Sequence, residues 1–275
     1  MRVVITGGSG RIGRTLLARS RGWEAVALLR QDFTQRPTGV RTRRVDLTDA
    51  RALRLAFQEL RPEVVVHLAG ATSGSDEEVL TANVDLTRSL ADAAGQVGVS
   101  KFILASSAAV YGTTRASALR EDDPLMPEGV YGRSKQHAEV AVDEAVRSGD
   151  LVGATALRIF NVYGPGFDGS LVNRLGESTP DAAVQLWGVD RFVRDYVHVD
   201  DVVEAVLREA RREAGGFEVL NIGSGVGTTN RELINQLRKT RPVYVEIQGD
   251  AVSHSLADIT RARELLSFQP TRLGS

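Results

Sequence analysis

Tyr131 and Lys135, in "YGRSK", stand four residues apart. On a helix that spacing puts both side chains on one face. A free tyrosine, with a pKa of about 10, is a poor base at neutral pH. A lysine ammonium nearby, together with an oxidised nicotinamide, favours the phenolate and brings the phenol toward the range where it can give or take a proton. Tyr-x-x-x-Lys also arises by chance on many helices, so its meaning depends on its neighbours. The stretch "KFILASSAAVYG" is one of them. There an apolar run ends in Ser106 and Ser107, and Ala108 and Ala109 follow where a charged or polar side chain could reach a substrate.

A second constellation sits at the start of the chain. Residues 6–13 read "TGGSGRIG", between the strand pattern "RVVI" and an amphipathic helix pattern. Gly7 permits a tight turn, Gly10 lets the backbone approach a pyrophosphate, and Gly13 lets helix and strand pack closely. The N–H groups that open the helix, and its partial positive charge, favour a bound anion. The second strand pattern, "EAVALL", ends at Arg30, where an acid would hydrogen-bond the ribose 2′-OH of NAD. An arginine there can pair with a 2′-phosphate. The cofactor expected is therefore NADP(H), with NAD(H) the alternative should Asp32 act as the acid. Asp46 and Leu47 close the third strand pattern, where the carboxylate can accept from an adenine amino group. Thr48 or Asp49 is better placed than Asp46 to cap the helix that follows.

These groups need a scaffold that gathers them. Short apolar runs alternate with helix-length segments: "RVVIT", "EAVALL", "VRTRRV", "EVVVHLA", "KFILAS", "GATALRIF" and "FEVLNIG" read as strands. Helices are expected over 11–21, 49–59, 77–96, 131–148, 199–213 and 228–239. Most of the strand runs are continuous rather than alternating, as in strands buried on both faces. The predicted fold is α/β, a Rossmann-type doubly wound parallel sheet with a small C-terminal α/β lobe. Residues 1–160, rejoined by 198–222, would form the dinucleotide-binding domain. Residues 161–197 and 223–275 would form the substrate lobe, in which "AVQLWG" and "RFVRDYV" read as a short strand pair.

Composition narrows the function classes. The chain has 275 residues, and 34 Lys and Arg nearly cancel 35 Asp and Glu, so no field of one sign draws it to nucleic acid or a membrane. It contains no cysteine, which removes disulfides, thiolate catalysis and cysteine metal sites and fits a cytoplasmic protein. No signal-peptide pattern opens it, and no apolar stretch nears the ~20 residues of a membrane span. His67, His137 and His198 have no spacing that pairs them as metal ligands. Trp23 and Trp187 read as packing residues.

With "TGGSGRIG", "SSAAVYG", "YGRSK", "RIFNVYGPG", "RDYVHVDDVV" and "LADITRARELLSFQP" in this order, the chain resembles the extended short-chain dehydrogenase/reductases, specifically the nucleotide-sugar epimerase and dehydratase group. The resemblance spans almost the whole sequence. It implies that Ser107 is the catalytic hydroxyl on the reacting sugar oxygen and Tyr131 the general acid or base. It also implies that Lys135 holds the nicotinamide ribose and tunes Tyr131. Arg11, Ile12, Leu68 and Ala69 would line the cofactor. Asn83, in "LTANVDLT", would stand beside the site, or serve as a buried polar side chain joining its helix to the sheet, or both. Two subunits of such enzymes pair through helices corresponding to 77–96 and 131–148, which implies a homodimer.

The group's 4,6-dehydratases carry Asp-Glu where this chain has Ala108 and Ala109, and a methyl group cannot protonate a leaving hydroxyl. The GDP-fucose synthase type uses a cysteine that this chain lacks. Redox at a sugar carbinol remains. On the substrate side, Asn161 and Arg194 match positions that hold the nucleotide diphosphate. Arg194 could instead form a salt bridge with Asp195 or Asp200. Relatives often have arginine where Ile247 stands, while Asp250 can meet the base or its ribose and His254 lies near the nucleotide or on the surface. The first reading is C4 ketoreduction of an NDP-4-keto-6-deoxyhexose, favoured by Arg30 and the missing second arginine. The alternatives are an NDP-sugar 4-epimerase with retained NAD and a non-catalytic dinucleotide-binding regulator.

Overall fold

The structure, a computed structural model, describes residues 1–31, 39–113, 115–213 and 215–273. Asp32, the alternative acid beyond the second strand, lies outside them. The chain opens with β1 (Arg2–Thr6), α1 (Arg11–Arg19), β2 (Glu24–Leu29), β3 (Arg41–Arg44), α2 (Ala50–Leu60) and β4 (Val64–His67). Next come α3 (Asp76–Leu80), α4 (Leu86–Gly95), β5 (Lys101–Ser107), α5 (Gly129–Arg147) and β6 (Gly153–Ile159). The rest comprises β7 (Asn161–Tyr163), α6 (Leu171–Gly176), β8 (Val184–Trp187), β9 (Phe192–His198), α7 (Val199–Glu209) and β10 (Gly216–Ile222), then β11 (Gly227–Thr229), α8 (Asn230–Leu237), β12 (Val245–Gly249), β13 (Ser253–Ser255) and α9 (Thr260–Leu266).

Seven strands form one sheet in the order β10-β6-β5-β4-β1-β2-β3, every pair parallel. The order reverses between β1 and β4, so the crevice of a doubly wound sheet opens above the carboxyl ends of those strands. Apolar residues cover both faces. Val3, Ile5, Val64, Val66, Ile103 and Leu157 pack toward α1, α7 and α9. Val4, Val65, Phe102, Leu104 and Ala156 pack toward α2, α4 and α5. "VRTRRV" departs from the continuous pattern for a reason: β3 is the edge strand, and its arginines are exposed or half-buried. Asp49 caps α2, accepting from the N–H groups of Arg51 and Ala52 at 2.9 and 3.0 Å.

Two expectations need correction. The helix predicted over 77–96 is not regular: α3 and α4 are joined by a π-helical turn, Thr81–Asp85, that carries Asn83. In that turn the Asn83 carbonyl accepts from the Thr87 hydroxyl at 2.6 Å. β8 and β9 are not partners either: β8 pairs with β12, while β9 pairs with β7, β11 and β13. The chain turns between them at Gly188, whose φ of 58° and close approach to the Ala251 carbonyl leave no room for a side chain. Val172, Leu175, Val184, Leu186, Tyr196 and Leu233 form the separate core beneath these small sheets. Among the described residues, no helix is long and apolar enough to cross a membrane.

Candidate active site

The glycine-rich turn meets the steric demands read from its spacing. Gly7 has φ 69°, and a Cβ there would lie 2.5 Å from the Ala69 nitrogen and the Leu68 carbonyl carbon. A Cβ on Gly13 would overlap the Gly7 carbonyl, so α1 packs directly on the turn. Gly10 differs: a Cβ there would meet the Gly7 oxygen at 3.2 Å and nothing else nearby, which leaves its outer side open. Gly10 caps α1 without a side-chain hydrogen bond, so the N–H groups that open the helix at Arg11 and Ile12 take no side-chain acceptor at the cap. This arrangement fits a dinucleotide pyrophosphate laid across the turn, and the Leu68–Ala69 backbone packs directly against Gly7. Arg30 is exposed at the end of β2 and helps hold the Asp46 carboxyl below its ordinary value. The larger cause is Thr48, whose hydroxyl and N–H donate to Asp46 at 2.7 and 3.0 Å. Leu47 is half-buried beside it.

Ser107, Tyr131 and Lys135 come together at the carboxyl end of β5 and the first turns of α5. The Ser107 side chain acts on the Tyr131 phenol, and the Ser107 oxygen accepts from the Ala109 N–H at 3.2 Å. Lys135 is buried, donates to the Ala105 carbonyl at 2.9 Å, and carries its nitrogen 6.0 Å from the Tyr131 ring centre. Burial brings the Lys135 ammonium down to about 8, opposed by the Glu139 carboxylate. Burial also raises the Tyr131 phenol, opposed by the Ser107 side chain.

Ala108 is buried in the core, and Ala109 presents its carbonyl to Gly132, where a Cβ would lie 2.7 Å away. No acid stands at either position. Behind the site lies a charge pair that sequence reading missed. Glu139, one helical turn past Lys135, accepts from Arg158 at 2.8 Å, and the Ser106 hydroxyl donates to the same carboxylate. Both members of the pair are buried, with side chains 5% exposed. Arg158 also donates to the Tyr111 hydroxyl, which donates to Asn221. The i, i+4 spacing of Lys135 and Glu139 was the available signal. Ser106 thus serves this pair and Ser107 serves the site.

Asn83 is 1% exposed, and its amide is committed to the fold. It accepts from the Ala71 N–H at 2.9 Å and donates to the Ala71 carbonyl at 2.8 Å and to the Ser134 hydroxyl at 2.9 Å. Gly70 packs so tightly here that a Cβ would overlap Asn83 and lie 3.3 Å from the Lys135 nitrogen. His67, read as the end of a buried strand, belongs to the same system. The Thr87 hydroxyl donates to Asn83, so it accepts from His67 Nε2–H at 3.0 Å. Nδ1 therefore accepts from the Thr6 hydroxyl at 2.7 Å. Burial, then the nearby Lys135 charge, pushes His67 down to about 3, so it is neutral.

On the substrate side, Arg194 forms neither proposed salt bridge. Asp195 is fully buried and accepts from Ser224, Gly225 and Ala257, while Asp200 pairs with Arg19 at 3.1 Å. Asn161 donates to the Asp195 carbonyl at 3.0 Å, one strand from Arg194. Asp250, exposed beyond β12, faces Arg191 at 3.6 Å. His254 is partly buried on β13, with Nδ1 buried and without a partner among the described residues. Trp187, read as a packing residue, is 51% exposed. The structure also adds a contact: the Arg11 guanidinium lies 5.5 Å from the Phe167 ring centre, joining the glycine-rich turn to the loop after β7.

Comparison with known proteins gives concordant results. Residues 3–223 match the model of the NAD dependent epimerase/dehydratase family. The chain is 33% identical to a UDP-glucose 4-epimerase of Mycolicibacterium smegmatis, over 98% of this chain and 94% of that one. It is 31% identical to a dTDP-6-deoxy-L-talose 4-dehydrogenase (NAD(P)(+)) of Kitasatospora kifunensis, over 98% and 91%. Among solved structures it matches MoeE5 in complex with UDP-glucuronic acid and NAD, with 30% identity, a TM-score of 0.88, and coverage of 99% of this chain and 95% of that one. The chain is an enzyme of the NAD dependent epimerase/dehydratase family, among the nucleotide-sugar members of the extended short-chain dehydrogenase/reductases.

Proposed function

We propose that this enzyme carries out NAD(P)-dependent redox at C4 of a nucleotide-activated hexose, with ketoreduction of an NDP-4-keto-6-deoxyhexose as the first reading. One observation carries it. Ser107 stands by the Tyr131 phenol and the Lys135 nitrogen lies 6.0 Å from the Tyr131 ring centre, while positions 108 and 109 hold only methyl groups. In reduction, Tyr131 gives its proton to the sugar oxygen that becomes the carbinol, and Ser107 holds that oxygen in line. Lys135 holds the nicotinamide ribose and keeps positive charge beside the phenol. The dinucleotide supplies hydride exchange when bound. Gly7, Gly10 and Gly13, with the N–H groups of Arg11 and Ile12, hold its pyrophosphate. Asp46 and Leu47 meet the adenine, and Arg30 meets a 2′-phosphate, so NADP(H) is the cofactor of this reading.

We assign the seven-stranded sheet and its helices to the cofactor and the small sheets to the sugar nucleotide. Arg194 and Asn161 face the diphosphate, and Asp250 the base or ribose. The second reading, 4-epimerisation with retained NAD, draws support from the likeness to UDP-glucose 4-epimerases. The Arg11–Phe167 contact across the glycine-rich turn suits a retained cofactor as well. A homodimer is part of the proposal. Leu80 and Val140, 36% and 47% exposed, flank a surface cleft between the α3–α4 segment and α5 that suits a second copy. Light scattering of the wild type against Val140→Asp tests that pairing.

The deciding experiment supplies two substrates separately. Stoichiometric oxidation of NADPH with a dTDP-4-keto-6-deoxyhexose establishes the reductase. Interconversion of UDP-glucose and UDP-galactose without added cofactor, with NAD released on denaturation, establishes the epimerase. Inactivity in both, together with turnover of another substrate class, removes the C4 assignment.

A further inference from the structure

Arg194 is a guanidinium whose neighbouring acids are all engaged elsewhere. Asp195 is spent on Ser224, Gly225 and Ala257. Asp200 pairs with Arg19, and Glu128, which acts on Arg194 only at longer range, accepts from Thr113. What does hold Arg194 is neutral. Its carbon Cζ lies 3.9 Å from the ring centre of Phe192, two residues back on the same face of β9. Nη2 donates to the Ser253 hydroxyl at 2.7 Å and Nη1 to the Val193 carbonyl at 2.8 Å. Ser253 is the residue of β13 in register with Phe192, so two cross-strand neighbours grip one guanidinium.

These two bonds use two of the five N–H donors of an arginine. A planar guanidinium stacked on a ring keeps its edge free for two parallel bonds to phosphate oxygens. The stack also removes rotamer freedom that a long side chain would otherwise lose on binding. Ile247, 61% exposed on β12, brings no second cation to the grip. We propose that Phe192, together with Ser253, is a positioning residue that pre-aims Arg194 at the substrate diphosphate. This rests on the sugar-nucleotide reading above.

The test is calorimetric titration of the full chain with UDP, and with dTDP should that bind more tightly. Phe192→Leu weakens binding about three- to ten-fold, the range expected for loss of a partly desolvated cation–π contact. Phe192→Tyr, which keeps the ring, restores most of the affinity. In an Arg194→Lys background the Phe192→Leu change has less effect, because its target is gone. Should Phe192→Leu not fold, Ser253→Ala carries the test, with affinity falling about two- to five-fold. UDP affinity equal to wild type in Phe192→Leu, or in Ser253→Ala where that carries the test, overturns the inference. So does a Phe192→Tyr protein as weak as Phe192→Leu. These outcomes leave the sugar-nucleotide reading standing, whereas a wild-type chain that binds neither nucleotide overturns both.

Discussion

Asn83 and Ser134, fifty-one positions apart in sequence, are joined by a buried 2.9 Å hydrogen bond that ties the π-helical turn to α5. Ser134 passes the link on, donating to the Tyr131 carbonyl at 2.8 Å. Since Asn83 also clamps both backbone groups of Ala71, one side chain fixes the loop after β4 and the helix that presents Tyr131 and Lys135. Asn83→Ala strips partners from buried groups and frees the helix to shift. Misplacement of reacting groups by an ångström costs on the order of 100-fold. Steady-state kinetics should show kcat falling about 10- to 100-fold, with KM for the sugar nucleotide changed by less than about three-fold.

With Lys135 in its proposed role, activity should have an alkaline limit. The Lys135 ammonium is held down to about 8 by burial. Below that value the charge beside Tyr131 is present; above it the charge is lost. The profile of kcat/KM, which reports the free enzyme, should therefore fall on the alkaline side through about 8. The Glu139 carboxylate opposes this lowering. Glu139→Gln should move the limb to lower pH, while Lys135→Met should remove the limb along with most activity.

The local part of this site was legible because its determinants lie close in sequence. Gly7 is required by the positive φ of its own turn and Gly13 by contacts within the same strand–turn–helix unit, and Tyr131 and Lys135 are set by one helical turn. The parallel sheet followed from buried runs such as "EVVVHLA", and β3 departed from the pattern because edge strands keep one side in solvent. What sequence could not supply was pairing across distance. β8 finds β12 some sixty residues later, Arg194 finds Ser253 through β13, and Asn83 finds Ser134 through a π-turn with no period to reveal it. Spacing likewise placed Lys135 near Tyr131, but only the fold shows its ammonium donating to the Ala105 carbonyl.

The proposed NADP(H) reading turns on Arg30. That arginine stands exposed at the end of β2, beside the Asp46 carboxylate whose pKa it helps lower. A charge-assisted bond to a 2′-phosphate contributes roughly 1.5–3 kcal/mol, about 10- to 150-fold in affinity. Arg30→Ala should weaken NADPH by that factor in a fluorescence titration and leave NADH within about two-fold. Equal losses for the two nucleotides would sink the NADP(H) assignment.

His67 makes stability depend on pH well above the carboxylate range. In the folded chain it is neutral down to about 3, locked between Thr6 and Thr87, whereas an unfolded histidine takes up its proton near 6.5. The folded value is depressed, so the stabilisation is full above 6.5 and is lost as pH falls toward about 3. The loss runs at about 1.4 kcal/mol per pH unit, hence about 2 kcal/mol between pH 6.5 and about 5, before most carboxylates titrate. Urea unfolding across that window should show the slope in the wild type. His67→Gln, which cannot take the proton, should be less stable at pH 7 and show a flatter dependence below it. Protonation would also force a second donor against the Thr6 hydroxyl and place a positive charge near Lys135, so the folded state gives way rather than accept it. An unchanged slope in the variant would place the acid sensitivity elsewhere.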